Sequence, residues 1–259
     1  MQALSIVGPD AHAVLDSLAA RLDGRVATVR RAYVEAELGP EDADFRVDED
    51  GSWRGTGRGE SVDAVLDRLA PEFDYALVAG YSRLRLPTVV IGEESVPGDV
   101  VARHGDVGDL DLDALATRID DVQPHVTLET LVRAVNAHED AERSGAVATF
   151  TGRVRAKDSP DDDRTTHLAF EKYDGVAEER LERIERELEA RDGVFAVRTH
   201  HRVGVVEDGE DIVFVVVLAG HRAEAFRTVE DGIDRLKDEV PIFKKETTTD
   251  EEFWVHDRA

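Results

Sequence analysis

"VFAVRTHHRVGVVEDGEDIVFVVVLAG", residues 194–220, carries the reading of the fold. Two apolar, β-branched runs flank the acidic turn "EDGED" at 207–211, the pattern of two long strands folded back on each other. A helical period stands on either side. Upstream, "VAEERLERIERELEAR" (176–191) puts Leu181, Ile184 and Leu188 on one stripe. Downstream, the segment from Ala223 to about Val240 spaces Phe226, Val229, Ile233 and Leu236 three or four residues apart. Pro241 ends that helix, because proline pushes its predecessor out of helical space. Earlier strands, "GAVATFTGRVRAK" (145–157) and "THLAFEKY" (166–173), are separated by the loop "DSPDDDRT" (158–165), and a helix opens at Thr127. Helices mixed with hairpin-paired strands predict an α+β domain.

The first half has a different rhythm. A buried strand "ALSIVG" (3–8) leads to a helix over 11–22 with Val14, Leu15, Leu18 and Leu22 on one face. A second strand "RVATVRRAYV" (25–34) follows, then a Gly- and Asp-rich stretch, 39–60, that reads as loop or acidic hairpin. The helix "SVDAVLDRLA" has Ser61 as its N-cap, and "YALVAG" (75–80) and "PTVVIG" (87–92) are apolar strands. This alternation predicts a small α/β domain with a parallel sheet. Composition shifts from about 98 to 124, around a short helix from Leu110 to Ile119. The expected domains are therefore 1–121 and 122–259.

The chain carries 57 acidic and 32 basic residues, a net charge of −25. Such a surface repels nucleic acid and anionic membranes, and it suits a protein kept hydrated in high salt, a halophile's. No apolar run approaches 18 residues and the start has no signal-peptide pattern, so a cytoplasmic protein without membrane contact is expected. There is no cysteine, which excludes disulfides, thiolate metal sites and cysteine nucleophiles. His200, His201 and His221 match no zinc signature, and no metal or cofactor is expected. At the first strand–helix junction a phosphate-binding loop would need Gly, Lys and Ser or Thr at 13, 14 and 15; Ala13, Val14 and Leu15 stand there.

Lysine is scarce: five residues against 27 arginines, with Lys237, Lys244 and Lys245 inside "DRLKDEVPIFKKE" (234–246). Lys237 falls in the last turn of a helix, one position beyond its apolar stripe, bordering the core rather than bulk water. "PIFKKE" is extended, so Lys244 and Lys245 should point to opposite sides. With "GRVR" (Arg153, Arg155) and "GHR" (His221, Arg222), three cationic clusters lie at element ends of one acidic domain. Together they suggest an anion pocket.

Residues 124–256 resemble the catalytic (large) subunit of molybdopterin synthase, the MoaE family. The carriers are "GAVATFTGRVR", "LAFEKYDGVAEERL", "HHRVGVVEDGEDIVFVVVLAGHRAEAF", "IDRLKDEVPIFKKE" and "FWVH". The resemblance implies an α/β-hammerhead fold and a homodimer within a heterotetramer. It implies a small ubiquitin-like sulfur carrier ending in a Gly-Gly thiocarboxylate, and cyclic pyranopterin monophosphate as the pterin substrate that gains the dithiolene sulfurs. By motif it points to Arg155, His221, Arg222, Lys237 and Lys244, with Lys245 and Glu246 beside the last; Lys237 and Lys244 are expected to be catalytic, and Arg155, His221, Arg222, Lys245 and Glu246, with Arg153 of the same cationic cluster, to bind substrate. Phe243 stands where the family commonly has Trp.

Residues 1–120 resemble, in their order of elements, the MobB family of P-loop accessory proteins of molybdopterin guanine dinucleotide synthesis. "SIVG" (5–8) with its helix and "FDYALVAGYSRLRLPTVVIG" (73–92) carry that likeness. The family's loop lysine is missing, and Ala79 stands where an acidic residue is common. That makes a degenerate P-loop-like domain the expectation. The alternatives to a sulfurtransferase are a non-catalytic scaffold and a GTP-binding accessory protein.

Overall fold

A computed structural model describes residues 1–32, 44–56, 59–157, 159–173, 175–249 and 252–255, and divides the chain into two units, Met1–Thr127 and Leu128–Ala259. In the first unit the elements are β1 (Gln2–Val7), α1 (Ala11–Ala19), β2 (Val26–Arg30), β3 (Asp44–Val47) and β4 (Trp53–Thr56). They continue with α2 (Val62–Leu69), β5 (Tyr75–Ala79), β6 (Thr88–Ile91), β7 (Val100–His104) and α3 (Leu112–Arg118). Five strands form one parallel sheet in the order β2-β5-β1-β6-β7. β1 lies at its centre and is apolar on both faces, as a strand covered by helices on both sides must be. Leu4 and Ile6 pack with Val14, Leu15 and Leu18 of α1 and Leu115 of α3, while Ala3 packs with Leu66 of α2 and with Ala76 and Val78.

Several local expectations find their counterpart. Within the Gly- and Asp-rich stretch β3 and β4 form a hairpin, with Val47 opposite Trp53, and positions 39–43 and 57–58 lie outside the described residues. The Ser61 hydroxyl accepts a hydrogen bond from the Ala64 N–H at 3.1 Å and caps α2. The second strand ends at Arg30, and positions 33 and 34 of its expected span lie outside the described residues. Strand β7, at the sheet edge, falls inside the composition shift and has no apolar run to announce it. Residues 122–127 pack with the first unit: the His125 N–H donates to the Met1 carbonyl at 2.8 Å, and the His125 ring meets Asp67 at 2.7 Å.

Gly8 explains why a glycine stays at the junction after β1. Its φ is 108°, and a Cβ there would lie 1.9 Å from the Ile91 carbonyl oxygen. The glycine serves the close approach of β1 to β6, a packing need independent of any phosphate.

The second unit contains α4 (Leu128–Asn136), β8 (Ala146–Arg153), β9 (Thr165–Lys172), α5 (Val176–Glu189) and β10 (Val194–His201). After these come β11 (Gly204–Glu207), β12 (Asp211–Ala219), α6 (Arg222–Glu239), β13 (Ile242–Thr248) and β14 (Glu252–Val255). Two antiparallel sheets result, β10-β12-β8 and β11-β9-β13-β14. Ile184 and Leu188 of α5 and Val229, Ile233 and Leu236 of α6 bury against Val215 and Val217 of β12. Each such side chain contributes about 1.5–3 kcal/mol on burial.

The hairpin reading of 194–220 needs a correction. β10 does pair with β12, with Val197 opposite Val217 and His201 opposite Val213. The run then breaks, and β11 joins the other sheet, with Val205 opposite Ala169. Gly204, at φ 82°, supplies the left-handed residue at the break. One apolar stretch thus belongs to two sheets, and the gap between their ends is where the cavity forms. Among the described residues no helix is long and apolar enough to cross a membrane.

Candidate active site

A cavity of about 970 Å³ lies in the second unit, lined from β8, β9, the end of β10, β12, the C-terminal end of α6 and β13. Its floor is apolar, with Leu168, Phe170, Ile212 and Val213, and its walls carry Arg153, Arg155, Lys237, Lys244 and Glu246. Residues from four separate stretches of sequence meet there because β9 and β13 pair in register. Lys244 stands opposite Phe170 and Glu246 opposite Leu168. With a period of two, all four face the same side.

The same period turns Lys245 away. Its ammonium lies 5.8 Å from the Trp254 ring centroid, and Phe243 packs edge-on to Tyr173 with centroids 5.4 Å apart. Lys245 is not among the cavity-lining residues, so the structure does not bring it to the other candidates. Lys237 sits in the last turn of α6, where the helix dipole favours a cation. Leu236 beside it is buried, but Lys237 itself is exposed at the cavity wall, not set against the core as the sequence pattern suggested. It has no hydrogen-bond or ion-pair partner among the described residues.

Arg153 pairs through Nε with Asp211 at 3.2 Å and donates to the Gly209 carbonyl, which ties it to the turn before β12. Arg155, two residues on, is exposed and lines the cavity as well. The Glu246 carboxylate accepts a hydrogen bond from the Thr165 hydroxyl across the β9–β13 pair. His221 and Arg222 do not line this cavity. They are the N-cap and first residue of α6. At 1.5 Å per residue, that end of the helix is about 22 Å from Lys237.

Three further lining residues carried no signal in the sequence. Asp162 and Asp163 come from the loop between β8 and β9. The hydroxyl and backbone N–H of Ser159 hold the Asp162 carboxyl below its ordinary pKa. His201 ends β10. Its Nδ1 is 2.7 Å from the Arg202 carbonyl, and its ring packs edge-on to Phe170 at 4.9 Å. Only the strand register reveals it as part of the site, since His201, Val213 and Gly152 form one row across the three-stranded sheet and all three line the cavity. Among the described residues no group of three His, Asp or Glu side chains could hold a metal ion.

The second unit is thus an α+β domain whose cavity has an apolar floor and carries arginine and lysine side chains beside carboxylates on its walls. Residues 123–239 match the family model described as MoaE protein. Along its whole length the chain is 58% identical, over 263 aligned residues, to the "Probable molybdopterin synthase" of Haloferax volcanii, all of which is covered. The chain belongs to the MoaE family, the molybdopterin synthase catalytic subunits, and its role lies in molybdenum cofactor biosynthesis. Among solved structures it is similar to molybdopterin cofactor biosynthesis protein E of Burkholderia multivorans. That match has 37% identity and a TM-score of 0.43, and covers 53% of this chain and 86% of the other. A MobB protein homologue of Bacillus stearothermophilus aligns at 22% identity and a TM-score of 0.36, over 47% of this chain and all of the other.

Proposed function

We propose that the second unit is a sulfurtransferase that builds the dithiolene of molybdopterin on cyclic pyranopterin monophosphate. The observation that carries this reading is the meeting of Lys237 and Lys244, from a helix end and a strand, at one cavity with Arg153 and Arg155. The cyclic phosphate is an anion for which guanidinium groups are suited partners. The sulfur comes from the thiocarboxylate at the Gly-Gly end of a small ubiquitin-like carrier, whose extended tail enters the same cavity. At each of two substrate carbons the carrier's sulfur forms a C–S bond as that carbon's C–O bond breaks, the oxygen leaving with a proton as water or remaining on the phosphate. Water then adds to the acyl carbon, which passes through a tetrahedral oxyanion, and the acyl–sulfur bond breaks to release the carrier carboxylate. A fixed cation at that oxyanion is worth about 10²–10³ in rate. Lys237 is assigned this role, and Lys244 balances charge around substrate and tail. A chain without cysteine is compatible with sulfur that arrives on another protein.

The chain acts as a homodimer in a heterotetramer with two carriers. His221 and Arg222 stand a helix length from Lys237, so their substrate-binding role requires that a second copy present them to this cavity. The first unit is a degenerate relative of P-loop domains, kept for packing or docking. Gly8 supports that reading, since its conformation answers to β6.

The test is dithiolene formation by the full chain from cyclic pyranopterin monophosphate and thiocarboxylated carrier. Lys237→Ala should fold and lose turnover; wild-type turnover by that variant would refute the assignment. GTP titrated against the full chain should show no micromolar binding, and such binding would revive the accessory-protein reading.

A further inference from the structure

His201 is a half-buried ring in the cavity to which sulfur transfer assigns no task. Its surroundings define one chemical capacity. A carbonyl oxygen only accepts, so the 2.7 Å contact with Arg202 requires the hydrogen on Nδ1. In the neutral ring Nε2 then carries a lone pair, and it has no hydrogen-bond partner among the described residues. The edge contact with Phe170 on β9 holds the ring plane. His201 therefore offers one fixed, uncharged acceptor at the junction of the two sheets.

Among the other polar groups of the cavity, arginine and lysine only donate. The hydroxyls of Thr151, Thr165 and Thr248 rotate between donor and acceptor, and the carboxylates of Asp162, Asp163 and Glu246 accept but carry a charge that opposes an anionic substrate. We propose that His201 is a specificity-determining residue that recognises the heterocycle of the substrate, accepting at Nε2 a hydrogen bond from a ring N–H. The ligand class is a planar, N–H-bearing heterocycle with an anionic substituent, the cations holding the substituent and His201 reading the ring. The inference rests on the pterin substrate proposed above. Burial supports it: desolvation, with the nearby charge of Lys172 adding and the Arg202 hydrogen bond opposing, pulls the imidazole pKa down to about 4, so the ring stays neutral where the cations around it are charged.

Two variants separate recognition from support. Glutamine places its amide oxygen near the position of Nε2, whereas asparagine places its amide N–H near that of Nδ1. In the full chain, with binding of cyclic pyranopterin monophosphate read by pterin fluorescence, His201→Asn should weaken binding about three- to tenfold, the worth of one hydrogen bond. His201→Gln should stay within about twofold of wild type, and KM should follow binding while kcat moves little. Nitrogen chemical shifts of the wild-type imidazole should report the Nδ1–H form. The reverse order of the variants, equal binding by all three proteins, or an Nε2–H ring would overturn the proposal, and the ring measurement stands even where a variant fails to fold. A wild type that binds the pterin but forms no dithiolene refutes sulfur transfer and leaves His201 to be judged by binding. A wild type that does not bind the pterin overturns both.

Discussion

Lys245 lies over the Trp254 ring, 5.8 Å from its centroid, on the face of β13 opposite the one that carries Lys244 into the cavity. Adjacent lysines in one strand thus have separate surroundings. Lys244→Ala is expected to lower dithiolene formation by about 10²–10³-fold if its charge steadies the anionic species. Lys245→Ala removes a half-exposed cation–π contact worth about 0.5–1 kcal/mol and should cost stability rather than turnover. Steady-state assays with matched thermal melts check both, and equal loss of activity in the two variants would contradict the geometry.

Gly152 and Val213 meet in the cavity floor. A Cβ on Gly152 would come within 2.6 Å of the Val213 Cγ1 and 3.4 Å of Phe150. Gly152→Ala should therefore force the valine toward the cavity, at a stability cost of about 1–3 kcal/mol. Because the displaced methyl group narrows the space for the ring, KM for the pterin should rise. A variant with unchanged melting and KM would show that the floor can relax.

Much of this arrangement was legible in the sequence, and the rest was hidden for physical reasons. Alternation in "PIFKKE" was enough to set Lys244 against Lys245, since a strand's period is local. The stripe of α6 placed Lys237 at a helix end for the same reason. The sheet exchange at Gly204 could not be read, because only Arg202 and Val203 separate β10 from β11 and no proline or turn dipeptide marks the break. Without it the cavity between the sheets is invisible, and so are His201 and the loop acids Asp162 and Asp163. The separation of His221 and Arg222 from Lys237 could have been anticipated, since a helix of 18 residues stands between the two ends.

Strand β10 is the edge of its sheet, and α5 closes part of it. The Glu185 carboxylate accepts from the Thr199 N–H at 2.6 Å and the Thr199 hydroxyl at 2.7 Å, and Glu189 accepts from the Val197 N–H at 2.9 Å. Burial raises the Glu185 pKa, against the pull of the Thr199 hydrogen bonds. A carboxyl whose folded pKa lies above its unfolded one stabilises fully below the unfolded value and loses that contribution as pH rises through the folded value. Glu185→Gln keeps an acceptor and drops the charge. It should melt higher than wild type at pH 7, with the difference vanishing as pH falls below about 4. Glu185→Ala should melt lower, because the edge N–H loses its partner at a cost of about 1–3 kcal/mol. Melting curves across that range decide, and a glutamine variant less stable than wild type at pH 7 would show that the charge is favourable where it lies.

Salt has two opposed effects on this chain, and their sizes predict which wins. Ion pairs such as Arg235 with Glu187 and Glu239, and Arg183 with Glu239, weaken as salt screens them. Pairs this exposed are worth about 0.2–1 kcal/mol each at most. Against them stands an excess of 25 negative charges, which repel one another at every distance shorter than the screening length. That length falls from about 10 Å at 0.1 M to about 3 Å at 1 M, short enough to quiet most of the repulsion while pairs in direct contact survive. The melting temperature should therefore rise as KCl goes from 0.1 M to above 1 M. The Arg235→Ala difference from wild type should shrink over the same range without changing sign. Full stability at low salt, or a melting temperature that falls as KCl rises, would mean that local pairing outweighs the net charge and would remove the case for a halophilic surface.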